Sequence, residues 1–82
     1  MSSEMRRVFG KRVRCMRQRR GISLRGFALM IGIDKGFLVD IEYGRKSPTL
    51  DTIEKIASGL GVKTSDLFID IEDEFVEAPK TG

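Results

Sequence analysis

What most constrains this chain is its punctuation: each apolar stripe at helical spacing runs out at a glycine, and a Ser, Asp or Thr opens the next. Met5, Phe9, Val13 and Met16 share one helical stripe, with Arg7, Lys11, Arg14 and Gln18 opposite, which predicts a helix over residues 5–20. Gly21 closes it, where a left-handed residue is favoured. Ser23 is a good cap for a second helix carrying Leu24, Phe27, Ala28 and Ile31 on one face, and Gly32 breaks it. Asp34 caps a third, with Leu38 and Ile41 inward and Gly44 as its stop. Thr49 caps a fourth, with Asp51 at its positive dipole end, Leu50, Ile53, Ile56, Ala57 and Leu60 as its apolar set, and Gly61 as its close. Residues 64–68 make a last short helical turn. Alternation with period 2 appears only at Ile69-Asp70-Ile71-Glu72, so the expected fold class is all-α.

Composition narrows the chemistry. The 82 residues suffice for one small core and leave no room for a large catalytic cleft. With no histidine and one cysteine, the usual zinc sites and Ser-His or Cys-His catalysis are excluded, and no internal disulfide forms. The expectation is therefore no enzyme, no metal and no cofactor. Cys15 sits at the edge of the first stripe and reads as a packed thiol. No apolar run approaches the roughly 20 residues that span a bilayer, and no secretory leader opens the chain, so a cytoplasmic protein with no membrane partner is expected.

The net charge of +3 hides a gradient. Residues 1–22 hold eight Lys or Arg against one acid, Glu4, whereas residues 69–82 hold five acids against Lys80. A basic body with an acidic tail points to an anionic partner, nucleic acid before membrane surface, although charge alone serves solubility equally well.

The segment 27–41 has its own logic. Two short helices flank a tight turn that opens with Gly32; Ala28 is small enough for a close crossing, and Ile33, Leu38 and Ile41 pin the second helix on the first. That is helix-turn-helix spacing, in which the second helix lies in the major groove of DNA.

A longer pattern is more specific. Over residues 9–68 the chain carries Val13-Arg14-Cys15-Met16-Arg17, Gly21-Ile22-Ser23, Phe27-Ala28 and Ile31-Gly32-Ile33-Asp34. It continues with Ile41-Glu42-Tyr43-Gly44-Arg45, Ser47-Pro48-Thr49-Leu50-Asp51-Thr52-Ile53, Ile56-Ala57, Leu60-Gly61-Val62 and Asp66-Leu67-Phe68. In these positions it resembles the Cro/C1-type (XRE) helix-turn-helix family of DNA-binding proteins. The resemblance implies a five-helix, lambda-repressor-like domain over residues 1–68, usually a homodimer on a near-palindromic operator in double-stranded DNA. The controller proteins of restriction–modification systems and Cro-like phage regulators are the similar stand-alone members.

The same resemblance assigns roles. Arg17 and Glu42 would form a structural ion pair tying the first helix to the end of the third, rather than stand as two independent solvated charges. Lys35, Gly36 and Asp40 correspond to positions facing base edges, with Phe37 and Val39 alongside. Lys35 would donate to guanine or contact a phosphate, and Gly36 allows close backbone approach. Asp40 would accept from a cytosine amino group, or else face the protein and pair with a basic residue. Phe37 and Val39 would touch thymine methyls or sugars, or pack within the protein. Phosphate contacts are expected at Ser23, Arg25, Tyr43, Arg45 and Lys46. Arg7, Lys11, Arg14 and Arg19 are expected to be solvated and to supply long-range attraction.

Two departures stand out. Leu24 replaces the Gln that usually binds a phosphate, and Val39 replaces a Ser. Leu24, Leu29 and Met30 together suggest exposed apolar surface on the second helix and an additional protein partner; a protein-interaction module is the rival function. In the acidic tail, residues 69–82, Ile69, Ile71, Phe75 and Val76 are candidates for a dimer interface, the alternative being a frayed terminus.

Overall fold

The computed structural model describes residues 1–71. The first helix begins earlier than expected, because the Ser2 hydroxyl accepts a hydrogen bond from the Met5 amide at 3.1 Å; α1 spans Ser3–Arg19. It is followed by α2 (Leu24–Ile31), α3 (Lys35–Glu42) and α4 (Leu50–Leu60). A 3₁₀ turn, Thr64–Leu67, ends the series. No strand occurs among the described residues.

The punctuation acts as side-chain chemistry. Ser23 Oγ accepts from the Gly26 amide at 3.0 Å, Asp34 Oδ2 from Phe37 at 3.1 Å, and Thr49 Oγ1 from Thr52 at 3.1 Å. Each cap satisfies an amide that the helix cannot, which is typically worth about 1 kcal/mol. At the far ends, Gly32 (φ 71°) and Gly61 (φ 72°) turn the chain in the left-handed region. The last element is short: the Lys63 amide donates to Asp66 Oδ2 at 2.9 Å and closes a single 3₁₀ turn. Among the described residues there are thus four α-helices and one 3₁₀ turn where five helices are expected.

One core joins all elements. Phe9 and Val13 from α1 meet Phe27, Ala28 and Ile31 from α2, Leu38 and Ile41 from α3, and Ile53, Ile56, Ala57 and Leu60 from α4. Leu67 and Ile71 close it from the C-terminal side, and the Phe68 ring stacks on Phe9 with centroids 5.1 Å apart.

Three expectations change here. Leu50 is 80% exposed. Thr49 and Asp51 beside it are exposed as well, so the buried stripe of α4 starts at Thr52 and Ile53. Leu24 is half-buried and packs on the core instead of widening an exposed apolar area. Ile71, expected at a dimer surface, is buried in the domain's own core, which therefore runs past Phe68; Ile69 remains exposed. Phe75 and Val76 lie outside the described residues.

Gly10 sets how closely α1 approaches α3. A Cβ on Gly10 would overlap the Ile41 carbonyl oxygen and lie 2.6 Å from that of Glu42. Those atoms are backbone, so relief requires the helices to separate. Gly10→Ala is expected to lower stability by about 1–3 kcal/mol, despite the better helix propensity of Ala. Urea unfolding checks this, and a midpoint equal to or above wild type contradicts it.

Candidate nucleic-acid interface

The α2–turn–α3 unit is held by local hydrogen bonds and by burial. The Ile33 amide donates to Ala28 O at 3.0 Å, and the Leu38 amide donates to Asp34 O at 3.0 Å. Leu38, Ile41 and Glu42 turn inward, which leaves Lys35, Gly36, Val39, Asp40 and Tyr43 on the outer side of α3 and its cap. Gly36, Asp40 and Tyr43 follow at i, i+4 and i+7, so they line one face. A Cβ on Gly36 would come to 3.0 Å from the capping Asp34 Oδ2. Phe37 is half-buried and packed against the core, so part of its ring is withdrawn from that face.

A second stripe of α1 meets the C-terminal end of α3. Arg6 Nε donates to Gly44 O at 3.2 Å, Gly10 lies against the Ile41 and Glu42 carbonyls, and the Arg14 guanidinium lies over the Tyr43 ring, 5.3 Å from its centroid. Arg17 completes the line with a bidentate pair: Nε to Glu42 Oε2 at 2.7 Å and Nη2 to Oε1 at 2.9 Å. Arg17 Nη1 also donates to Ile22 O at 2.8 Å. The Glu42 side chain has no exposed surface and that of Arg17 only 8%. Donation to the Glu42 carboxylate raises the Arg17 pKa above its ordinary value, against the opposing effect of burial. Three guanidiniums thus gather at the negative end of the α3 dipole. Gly44 (φ 74°) leaves the helix with its α-carbon so close to α1 that a Cβ would sit 2.8 Å from Arg7 Cα.

The loop after α3 folds back on Asp40. The amides of Arg45 and Lys46 donate to Asp40 O at 2.7 and 3.3 Å. Their side chains reach its carboxylate, with Arg45 Nε 2.9 Å from Oδ1 and Lys46 Nζ 3.4 Å from Oδ2. Of the two roles open to Asp40, the isolated protein therefore shows the pairing with basic residues. Hydrogen bonding by Arg45, joined by Lys46, holds the Asp40 carboxyl below the usual range. The Arg45 guanidinium also lies 5.3 Å from the Tyr43 ring centroid.

The other named positions fall around this centre. Arg25 and Lys35 are exposed and border one shallow depression with Ala28, Leu29 and Ile33. Ser23 is exposed at the start of α2, with its oxygen engaged as the cap. Arg7, Lys11 and Arg19 are exposed, but Arg14 is half-buried on Tyr43 and not a purely solvated charge. Arg6 was not singled out by the sequence, and Arg14 was expected among the solvated charges. The signal was present in the spacing: Arg6, Gly10, Arg14 and Arg17 recur every three or four residues, so placing Arg17 on Glu42 also places the others. Among the described residues no group of metal-ligating side chains assembles, and no helix is long and apolar enough to cross a membrane.

Two helices crossing over a glycine turn, the second presenting a polar face flanked by cations, define a helix-turn-helix protein. Residues 13–67 match the helix-turn-helix family HTH_3, and the chain belongs to that family. Control protein C.MunI from a Mycoplasma species is 37% identical over 67 residues, covering 80% of this chain and 90% of that protein. Control protein C.BamHI from Bacillus amyloliquefaciens is 35% identical over 68 residues, covering 82% of this chain and 84% of the relative. The crystal structure of the restriction-modification controller protein C.AhdI from Aeromonas hydrophila has the same fold, with a TM-score of 0.76 and 28% identity, covering 82% of this chain and 100% of that one.

The buried pair yields a stability prediction. Removing one partner strands a buried charge, so Arg17→Ala or Glu42→Ala should each lose about 3–5 kcal/mol, whereas the apolar double replacement Arg17→Met with Glu42→Leu should lose much less. A double variant that loses the sum of the two single losses, measured by urea unfolding, would show that the pair is not coupled.

Proposed function

We propose that this protein is a sequence-specific, DNA-binding transcriptional regulator that docks α3 in the major groove of a near-palindromic operator as a homodimer. The observation that carries this is the exposed α3 face, edged by Lys35 on one side and by Tyr43, Arg45 and Lys46 on the other, on a helix anchored by a buried ion pair. Lys35, Gly36, Val39 and Asp40 face base edges, with Phe37 at the margin; Ser23, Arg25, Tyr43, Arg45 and Lys46 meet phosphates, and Arg14 joins them through Tyr43. In this reading the 3₁₀ turn stands in the place of the fifth helix, the protein works in the cytoplasm, and two reading helices sit about 34 Å apart in the dimer. Likeness to two control proteins and to a restriction-modification controller favours that kind of regulator.

A further protein partner on α2 is supported by one observation, the exposure of Leu29 (76%) and Met30 (54%) beside each other. The regulator reading is tested by selecting bound duplexes from a random library. A selected duplex should be preferred over random DNA by at least about 10³-fold. The preference should collapse in Lys35→Ala, a fully outward position whose loss leaves the core intact. Uniform, steeply salt-dependent binding to every duplex would favour the interaction module instead.

A further inference from the structure

Two of the cations assigned to phosphate are already on a carboxylate. Arg45 and Lys46 both reach Asp40, one on each oxygen, and their own amides are bound to the Asp40 carbonyl. Exposed ion pairs are weak and exchange readily. The amide bonds, however, keep both side chains within reach of the carboxylate whenever it is free, and Tyr43 holds the Arg45 guanidinium from another direction. Asp40 itself lies on the same face of α3 as Gly36 and Tyr43, the face that meets the groove in the reading above. Its carboxylate thus occupies the loop cations as a phosphate would.

We propose that Asp40 is a specificity-determining residue: it sequesters Arg45 and Lys46 from phosphate, and releases them where a base edge offers its carboxylate an amino donor. This rests on the regulator reading. On DNA of the wrong sequence the carboxylate stays with the cations, which are then half neutralised, and it adds like-charge repulsion toward the backbone. On DNA with a cytosine or adenine amino group opposite Asp40, the carboxylate turns to that donor and the two cations engage phosphate. Base reading and backbone binding are then one coupled event, because the same two oxygens serve both.

The test compares the library-selected duplex with a scrambled duplex of equal length, by fluorescence anisotropy across a salt series. Asp40→Asn should tighten binding to the scrambled duplex about tenfold and leave the selected duplex unchanged or weaker, so that the preference falls by tenfold or more. The salt slope on scrambled DNA should steepen by roughly 0.9, the increment for one more phosphate contact. Arg45→Gln with Lys46→Gln should weaken both duplexes, and adding Asp40→Asn to that pair should no longer tighten scrambled DNA. The inference is overturned if Asp40→Asn shifts both duplexes by one common factor, or if it weakens both while lowering the urea midpoint. Failure to select any duplex would instead refute the regulator reading; a selected duplex with an Asp40-independent preference refutes only this inference.

Discussion

The placement of α3 depends on one buried carboxylate. Glu42, the last residue of α3, has no exposed side-chain surface, and its two oxygens are taken up by the Arg17 fork. A carboxylate in that position is tolerable only when paired, so it fixes the angle at which α3 leaves the core. The bidentate geometry defines orientation as well as distance. Gly10 then lets α1 close to backbone contact beside the pair, and Arg6 draws in the carbonyl of Gly44. The outer face of α3 is presented rigidly because its inner end is fastened at several points along one stripe of α1.

That stripe changes the meaning of the charge gradient. Eight basic residues near the N-terminus look like a diffuse field. Several have specific structural partners: Arg6 with Gly44, Arg12 with the Ile69 carbonyl, Arg14 with Tyr43, Arg17 with Glu42 and Arg20 with the Met16 carbonyl. Much of the basic charge of α1 therefore builds the domain, whereas Arg7, Lys11 and Arg19 are left outward. The cations nearest the outer face of α3 are fewer: Arg25 and Lys35 from the first turns of α2 and α3, and Arg45 and Lys46 from the loop after α3.

Helix boundaries were legible to within a few residues because caps and glycines are local chemistry: Ser23, Asp34 and Thr49 each hold the amide that their position requires. The core was legible from periodicity for the same reason. What escaped depended on tertiary geometry. Leu50 has helical spacing with Ile53, yet among the described residues it stands exposed at the start of α4. Ile71 looks like tail by composition, but the chain bends back after the 3₁₀ turn and buries it. At the site, the resemblance to a family supplied the positions, whereas the state of Asp40 followed from a loop whose amides fold onto its carbonyl. No spacing rule reports that.

The DNA-binding surface proposed for this protein is the face of α3 fastened by Arg17 and Glu42. Amide chemical-shift mapping by NMR during titration with a selected duplex tests it most directly. The largest changes are expected at Lys35, Gly36, Val39 and Asp40, continuing through Tyr43, Arg45 and Lys46, with Arg14 the strongest perturbation on α1. Changes centred on Leu29 and Met30, with α3 unaffected, would contradict it.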